Sequence, residues 1–547
     1  MLYFYEICDS LSDIIFMRQN KVQVWLPVVL SLTLVLGMFF GYKLRDNMGN
    51  YAPSFFHRSK KNPVQEILTL VQQKYVDTVN IDSLGEFAIQ DVLQQLDPHS
   101  VYIPPADVDI MNEKMQGNFQ GVGIEFGMLN DTLNVLYVMP NGPSAKAGLR
   151  TGDQIITAND SIISGKKRKA DEIRRIFRGP KGTEVKGLLI RDGKKVQYQV
   201  VRNLIPSKSV DAAYLIEPAV AYIRLTKFSN TTYEEFMENL ERLQKEGMQK
   251  LILDLRGNGG GMLDDAVQIA DEFLDGNKEI VYTEGKSYPK QIYEARRPGL
   301  FEKGKLILLI DENSASASEV LAGALQDWDR ATIIGRRSFG KGLVQEQFSL
   351  SDGSAVRLTV SRYFTPIGRS IQKPYSRTDR NKYEDELQNR FLNGELFHTD
   401  TSQHIGKPFK TKGGRIVYGG GGISPDIYVG LDSNASLPLN KRPMIRGVVN
   451  DAAYLYFLKN KNKISSFKSA PQLQEYLTAN TETVSFLSTK LAKDSINLSV
   501  FTPAQQKSLT DNFISMISWY VWYNEGYARI KNSYDPIVQK ALEEIKK

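Results

Sequence analysis

The pattern of apolar and polar positions divides the chain into successive textures. Residues 24–42, VWLPVVLSLTLVLGMFFGY, contain no charge. Taken as a helix, they reach across a hydrocarbon core of roughly 30 Å. Between 63 and 96, apolar residues recur at helical spacing (Ile67, Leu68, Leu70, Val71, then Phe87, Ile89, Val92, Leu93, Leu96), which predicts two or three short helices. DPHS at 97–100 favours a stop and a turn. After about Asp107 short strand-like runs are split by glycine and Asn/Asp turns, followed by a helical ADEIRRIFRG and a hairpin, LLIRDGKKVQYQVVR. That order describes a module of strands, one small helix and a final hairpin.

From about Ser207, strands and helices alternate. AVAYIRL, KLILDLRG and KLILLIDE read as strands, and TYEEFMENLERLQKEG, MLDDAVQIADEFLDG and SASEVLAGALQDW read as helices. Fully apolar strands in alternation with helices predict a mostly parallel sheet covered by helices. From about Asp432 the chain reads as helical with charged faces, and 519–527, WYVWYNEGY, is rich in aromatic residues. Trp519, Trp522 and Tyr523 at helical spacing suit a core or a protein interface. There is no internal repeat.

Composition sharpens this picture mainly by exclusion. With 547 residues, three or four domains are expected. The 41% hydrophobic and 24% charged residues are ordinary for a globular chain and exclude disorder throughout. The net charge of +7 is mild for this length, and no Lys/Arg run is dense enough to indicate nucleic-acid binding. Cys8 is the one cysteine, which excludes disulfide scaffolds, iron–sulfur clusters, cysteine-ligated zinc and a thiol nucleophile in the body of the chain. Four histidines (His57, His99, His398, His404) argue against a polyhistidine metal site, and no cofactor is expected.

Arg18 and Lys21 precede the apolar run, which favours a cytoplasmic N-terminus and export of the residues beyond it. An uncleaved signal anchor is the leading reading, because no small-x-small site precedes Lys43 and the run is long for a signal peptide. A cleaved signal and a buried core helix are the alternatives. The acidic stub at 1–16 is odd before an export signal and suggests translation from Met17.

Three clusters carry candidate chemistry. Ser314, Ser316 and Ser318 lie where a strand meets a helix, at the carboxyl end of the sheet where open α/β folds bind ligands. Unpaired N–H groups at a helix start can also stabilise an oxyanion there, although a serine in this place can simply cap the helix. DLRGNGGG at 254–261 ends the preceding strand, and its glycines let the backbone approach a ligand and present N–H groups. Neither phosphate-loop pattern is met there. Lys341 stands between Gly340 and Gly342, as a specifically placed amine or as a turn lysine. Serine hydrolysis needs a base, and no histidine lies within 207–390. A desolvated lysine can serve if its pKa falls from about 10.4 towards roughly 7–8.

Taken together, these motifs resemble the carboxy-terminal processing, or tail-specific, proteases, which are serine peptidases with a Ser-Lys dyad. The resemblance runs from about 64 to 429 through LDPHSVY, DLRGNGGG, NSASASE followed by AGALQD, FGKGLVQ and GGISPDI. It implies a multi-domain α/β fold: a mostly parallel, crotonase-like sheet with helices, an inserted PDZ-like β-rich module and a helical N-terminal segment. It places the nucleophile on Ser316, whose spacing to Lys341 agrees with the family's while that of Ser314 and Ser318 does not. Lys341 becomes the general base and Gln345 a support that orients it. The oxyanion falls to backbone N–H groups of Ala317 and of a loop glycine, Gly259 or Gly260. In the PDZ-like module Gly121, Val122, Gly123 and Ile124 fit the loop that holds a peptide's terminal carboxylate, with Val122 and Ile124 shaping the pocket for its last side chain.

The expected organisation is a cytoplasmic stub (1–23), an anchor (24–42), a tether (43–62), an N-terminal helical segment (63–107), a PDZ domain (108–203), a Ser-Lys protease core (204–431) and a helical region without assigned role (432–547). The expected partners are protein or peptide substrates with free C-terminal tails and, through the anchor, the bacterial inner membrane, with the body in the periplasm. No nucleic acid is expected, and a homo-oligomer or adaptor is left open. The competing readings are a catalytically silent peptide-binding scaffold of the same fold and a crotonase-like acyl enzyme.

Overall fold

A computed structural model describes residues 25–43, 63–376, 380–398, 406–437 and 441–547. The stub with Cys8 and Met17, the tether with His57, and His404 lie outside the described residues. Residues 1–85 and 86–547 form two separate units. In the first, Trp25–Lys43 is one helix of 19 residues with mean hydropathy 1.8 and no buried side chain, long and apolar enough to cross a membrane. Pro63–Lys74 is a second helix.

At the centre of the second unit is a six-stranded sheet in the order Val210–Glu217, Val220–Leu225, Lys250–Asp254, Leu306–Ile310, Thr332–Gly335, Ile427–Tyr428. The first pair is antiparallel and the rest are parallel. Leu251, Leu253, Leu308 and Ile310 face a core closed by the helices Thr232–Lys245, Leu263–Asp271 and Ala317–Asp327. Ile252, Ile307, Leu309 and Ile334 face the other way, onto Ile537, Val538, Ala541, Leu542 and Ile545 of the C-terminal helix Pro536–Lys546. Both sheet faces are thus dry, which is why Leu306–Ile310 is apolar at every position. The end of the chain is accordingly a layer of the core rather than an appendage.

A second sheet, all antiparallel, joins Val101–Ile103, Ala355–Phe364, Glu279–Glu284 and Gln291–Glu294, with Leu343–Ser349 paired to Ala355–Phe364. It brings the segment after LDPHS beside Ala355–Phe364, the strand on which the one following FGKG also pairs. The inserted module is a five-stranded antiparallel sheet ordered Ile124–Leu129, Thr132–Val138, Gln154–Ile155, Glu184–Arg191, Lys194–Val201, closed by the helix Ala170–Phe177 over Leu133, Val135, Ile155, Ile173 and Val185. A two-stranded ribbon, Asn118–Gly121 against Asn203–Pro206, carries it on the body.

The helices Arg442–Lys459, Ala470–Ala479, Thr481–Lys493 and Pro503–Asn532 share a core around Tyr456, Leu477, Leu487, Phe513 and Ile517. The long helix Pro503–Asn532 breaks at Tyr523, whose backbone is non-helical (φ 55°, ψ −144°). There Tyr523 stacks on Tyr137 of the inserted module, with ring centroids 4.2 Å apart, and donates to Glu125 of its first strand. The next residue, Asn524, donates to Asp211 on the first strand of the central sheet. The aromatic segment is thus an internal interface that braces the module against the body.

Candidate active site

Two strand ends and one loop build the site. The strand Leu306–Ile310 runs out into a turn in which the Ser314 hydroxyl donates to the Leu255 carbonyl at 2.8 Å. Ser318, in the first turn of the helix Ala317–Asp327, donates to the Asn258 carbonyl at 2.9 Å. Both serines are fully buried, with their hydroxyls committed to the glycine loop. Ser316 differs. It is half-buried, its hydroxyl donates to no acceptor among the described residues, and its backbone sits at φ 56°, ψ −116°. A non-glycine residue in that region is strained and is held there by its surroundings.

Those surroundings are identifiable. The Glu319 carboxylate accepts the N–H of Ser316 at 2.8 Å and the N–H of Lys341 at 2.8 Å on the same oxygen, Oε2. Its other oxygen accepts the N–H of Gly340 at 2.7 Å and the Ser338 hydroxyl. The Tyr363 hydroxyl reaches the carbonyls of both Ser316 (3.1 Å) and Lys341. One carboxylate and one phenol therefore fix the two backbones relative to each other, across 25 residues of sequence. Burial pushes the Glu319 carboxyl up to about 7, against the pull of its four donors.

Lys341 is half-buried, and its ammonium is largely desolvated. That burial, helped by the Arg357 charge, lowers its pKa to about 8, while Glu319 and Asp97 pull it back up. Asp97 belongs to LDPHSVY. It is buried, accepts the N–H groups of His99 (2.8 Å) and Ser100 (3.0 Å), and accepts the Thr359 hydroxyl at 3.0 Å. The Gln345 amide donates to this Thr359 hydroxyl (3.4 Å) and to the Leu343 carbonyl (3.3 Å), rather than to Lys341. No hydrogen bond between Gln345 and Lys341 is present among the described residues, so the orienting role expected of Gln345 has no direct contact here. The His99 Nε2 lies 2.8 Å from the Tyr383 hydroxyl.

The glycine loop closes against the serine. Asn258 stitches it in place, its carbonyl accepting the Ala315 N–H at 3.0 Å and its amide donating to Leu225. Gly260 has φ 92°, and a Cβ there would stand 2.6 Å from the Ala315 carbonyl oxygen, 2.8 Å from the Ser316 Cβ and 2.9 Å from the Ala317 nitrogen. Glycine is required for that approach. The Gly260 N–H is already donated to Asn258 Oδ1 at 2.9 Å. The N–H groups of Gly259 and Ala317 have no acceptor among the described residues. Of the two loop glycines expected to donate, the geometry leaves Gly259 free and uses Gly260 for close packing.

In the inserted module, the carbonyls of Val122 and Gly123 are tied back by the N–H groups of Ser144 (3.0 Å) and Met139 (3.1 Å). The N–H groups of Val122 and Gly123 have no acceptor among the described residues. Gly123 has φ 74°. They open into a groove of about 460 Å³ whose walls are Gly121, Val122, Gly123, Ile124 and the rest of the strand on one side and Ala170, Arg174 and Phe177 of the helix on the other. That strand pairs on one side only, so it is an open edge of the sheet.

Sequence pattern alone does not single out Glu319, Tyr363, Asp97 or Asn258. Glu319 has a local signal, the S-x-x-E spacing of a capping box after Ser316. Tyr363 and Thr359 have none, since strand pairing alone brings them in.

The chain is similar to known proteins over both the body and the inserted module. A model of peptidase family S41 matches residues 219–380, and a PDZ-domain model matches residues 121–201. A carboxy-terminal-processing protease of Bartonella bacilliformis is 38% identical over 314 residues, 56% of this chain and 71% of the relative. A probable CtpA-like serine protease of Staphylococcus aureus is 34% identical over 330 residues, 59% of this chain and 66% of the relative. Among solved structures, a photosystem II D1 C-terminal processing protease is similar at 27% identity, covering 68% of this chain and 88% of its own, with a TM-score of 0.34.

Proposed function

The chain belongs to peptidase family S41, the carboxy-terminal-processing proteases, and carries a PDZ domain; from that premise we propose that it is a membrane-anchored endopeptidase that takes hold of protein C-terminal tails in the PDZ groove and cleaves with Ser316 and Lys341. The observation that carries the dyad is the shared clamp: Glu319 and Tyr363 hold the backbones of both residues, and Lys341 is desolvated beside them.

In this reading neutral Lys341 Nζ takes the Ser316 Oγ proton as the oxygen attacks the scissile carbonyl. The tetrahedral oxyanion rests on the N–H groups of Ala317 and Gly259. The Lys341 ammonium then returns its proton to the leaving amine, and a water repeats the cycle on the acyl-enzyme. Gln345 and Asp97 act on Lys341 at one remove, Asp97 through its charge. The open strand edge and the free N–H groups of Val122 and Gly123 suit an added peptide strand ending in a carboxylate. The helix Trp25–Lys43, with Arg18 and Lys21 before it in sequence, supports an anchor in the bacterial inner membrane and a periplasmic body. Domain limits of 108–203 and 204–431 serve this reading, with Pro536–Lys546 added to the core by its packing.

The test is cleavage of an unfolded reporter with an apolar C-terminal tail by the detergent-solubilised full chain. The wild-type rate is expected to climb with pH through about 8 as Lys341 loses its proton. Ser316→Ala and Lys341→Ala are each expected to lose at least about 1,000-fold. Cleavage surviving Ser316→Ala would overturn the assignment of the nucleophile.

A further inference from the structure

One wall of the PDZ groove carries cations that the carboxylate loop does not need. Ala170, Arg174 and Phe177 lie on the groove face of the helix, at helical spacing. Among the described residues Arg174 pairs only with Asp171, three residues earlier on the same helix, and its side chain is 58% exposed. An exposed pair of that kind holds the guanidinium weakly. Arg178 is different, since it is bonded to Glu113 at 2.7 Å and lies over the Phe119 ring at 4.8 Å. Directly before the helix stand Lys166, Lys167, Arg168 and Lys169, of which the three lysines are exposed. None of the four has an acidic side-chain partner for its own charged group among the described residues, although the Lys167 backbone N–H donates to Asp131. The acid that lines the groove, Glu125, accepts the Tyr523 hydroxyl, and burial pushes its carboxyl up.

The direction of a bound tail follows from the free N–H groups. A terminal carboxylate on Val122 and Gly123 places the last side chain beside Phe177, and the tail runs back along Ile124–Leu129 towards the start of the helix. Side chains alternate in an extended strand, so the last and the third-from-last both face the helix. Two strand residues advance about 7 Å and one helix residue about 1.5 Å, which sets the third-from-last side chain between Arg174 and Ala170. Residues further upstream leave the groove past 166–169.

We propose that the groove selects tails in which an apolar last residue is preceded by acidic side chains, the third-from-last meeting Arg174 and those upstream meeting Lys166, Lys167 and Lys169. This rests on the reading of the PDZ groove as the tail-binding site. The same cations could also meet anionic lipid, and the experiment separates the two.

The full chain carrying Ser316→Ala, to stop turnover, is titrated in neutral detergent with fluorescent decapeptides that share an apolar last residue. One carries Glu at the third, fifth and seventh positions from the end, a second carries Gln there, and a third is the Glu peptide with an amidated C-terminus. The Glu peptide is expected to bind about tenfold more tightly than the Gln peptide at low salt, with the gap narrowing as salt rises. Combining Arg174→Gln, Lys166→Gln, Lys167→Gln and Lys169→Gln is expected to erase that gap, so that the Glu and Gln peptides bind the variant alike. Equal affinity for the Glu and Gln peptides, with the amide still failing to bind, would overturn the proposal and leave the groove reading standing. Loss of binding by every peptide would overturn the groove reading itself and the proposal with it. A preference for Glu that survives the four substitutions would overturn it, as would loss of phosphatidylglycerol-vesicle binding in their place.

Discussion

Around Ser316 and Lys341 the backbone is held by two buried side chains, Glu319 and Tyr363, and the N–H groups of Gly259 and Ala317 have no acceptor among the described residues. In the PDZ groove the strand edge is open, and the cations, Arg178 apart, lie on the surface or are held by one exposed acid. The difference follows from what each place must do. A proton transfer and an oxyanion need fixed donors at fixed distances, and a low-dielectric setting makes each of them count. A groove that accepts different tails needs generic backbone pairing plus weak, additive side-chain preferences. Substitutions should therefore act steeply in the first region and gently in the second.

The steepest effect should come from one added methyl. Gly260→Ala would put a carbon against the Ala315 carbonyl and the Ala317 nitrogen at a backbone angle that alanine resists. A displacement of about 1 Å at the nucleophile turn is expected to cost on the order of 100-fold in kcat, with tail-peptide affinity unchanged. Steady-state kinetics beside peptide titration checks both halves. A normal kcat would show that the loop has slack and that the site is less rigid than its contacts imply.

Glu319→Gln is a smaller change at the same place. It keeps the size but removes the charge and makes one half of the side chain a donor facing donors. About tenfold to 100-fold should be lost, in line with breaking hydrogen bonds to a buried charged group. The pH profile should change as well. With Glu319 near 7 and Lys341 near 8, the wild-type rate falls below pH 7 for two reasons: the base is protonated and the clamp loses its charge. The variant keeps only the first, so its acid limb is shallower. Removing the carboxylate also takes away a charge that favours the ammonium, which moves the remaining midpoint below about 8. A midpoint that stays or rises would mean that Glu319 does not act on Lys341 electrostatically.

The two regions are also unequally legible in the sequence. The serines at 314–318, Lys341 between its glycines and the loop at 254–261 stand out as short local patterns, and only the family resemblance singles out Ser316 among the serines. The carboxylate loop at 121–124 stands out for the same reason. What binds these pieces together is non-local. Tyr363 and Thr359 reach the site only because Leu343–Ser349 folds back on Ala355–Phe364, and Asp97 reaches it because Val101–Ile103 pairs with that same strand. The apolar face of Pro536–Lys546 is visible as a helical period, yet a period names no surface to cover. That this helix closes the second face of the central sheet depends on the whole topology. The four basic residues at 166–169 are too few for a nucleic-acid track, and they gain meaning only from standing directly before the helix that walls the groove.

The gentlest test falls on the brace between the regions. At Tyr523 the long helix Pro503–Asn532 breaks, stacks on Tyr137, and donates to Glu125 on the strand that lines the groove, while Asn524 holds the central sheet through Asp211. Tyr523→Phe keeps the stack and removes one hydrogen bond, worth about 0.5–1.5 kcal/mol for a pair of this kind. In a chain of several domains, global unfolding would blur so small a term. Local hydrogen exchange resolves it: amides of Ile124–Leu129 are expected to exchange about two- to tenfold faster, while those of Leu306–Ile310 keep their protection. Because the hydroxyl no longer satisfies Glu125, that carboxyl becomes harder to ionise, and the groove loses some of its remaining negative charge. Binding of an acidic tail should then hold steady or tighten slightly even as the strand loosens. Faster exchange across both strands would mean that the brace also bears on the core, and that the open groove and the clamped site are mechanically one.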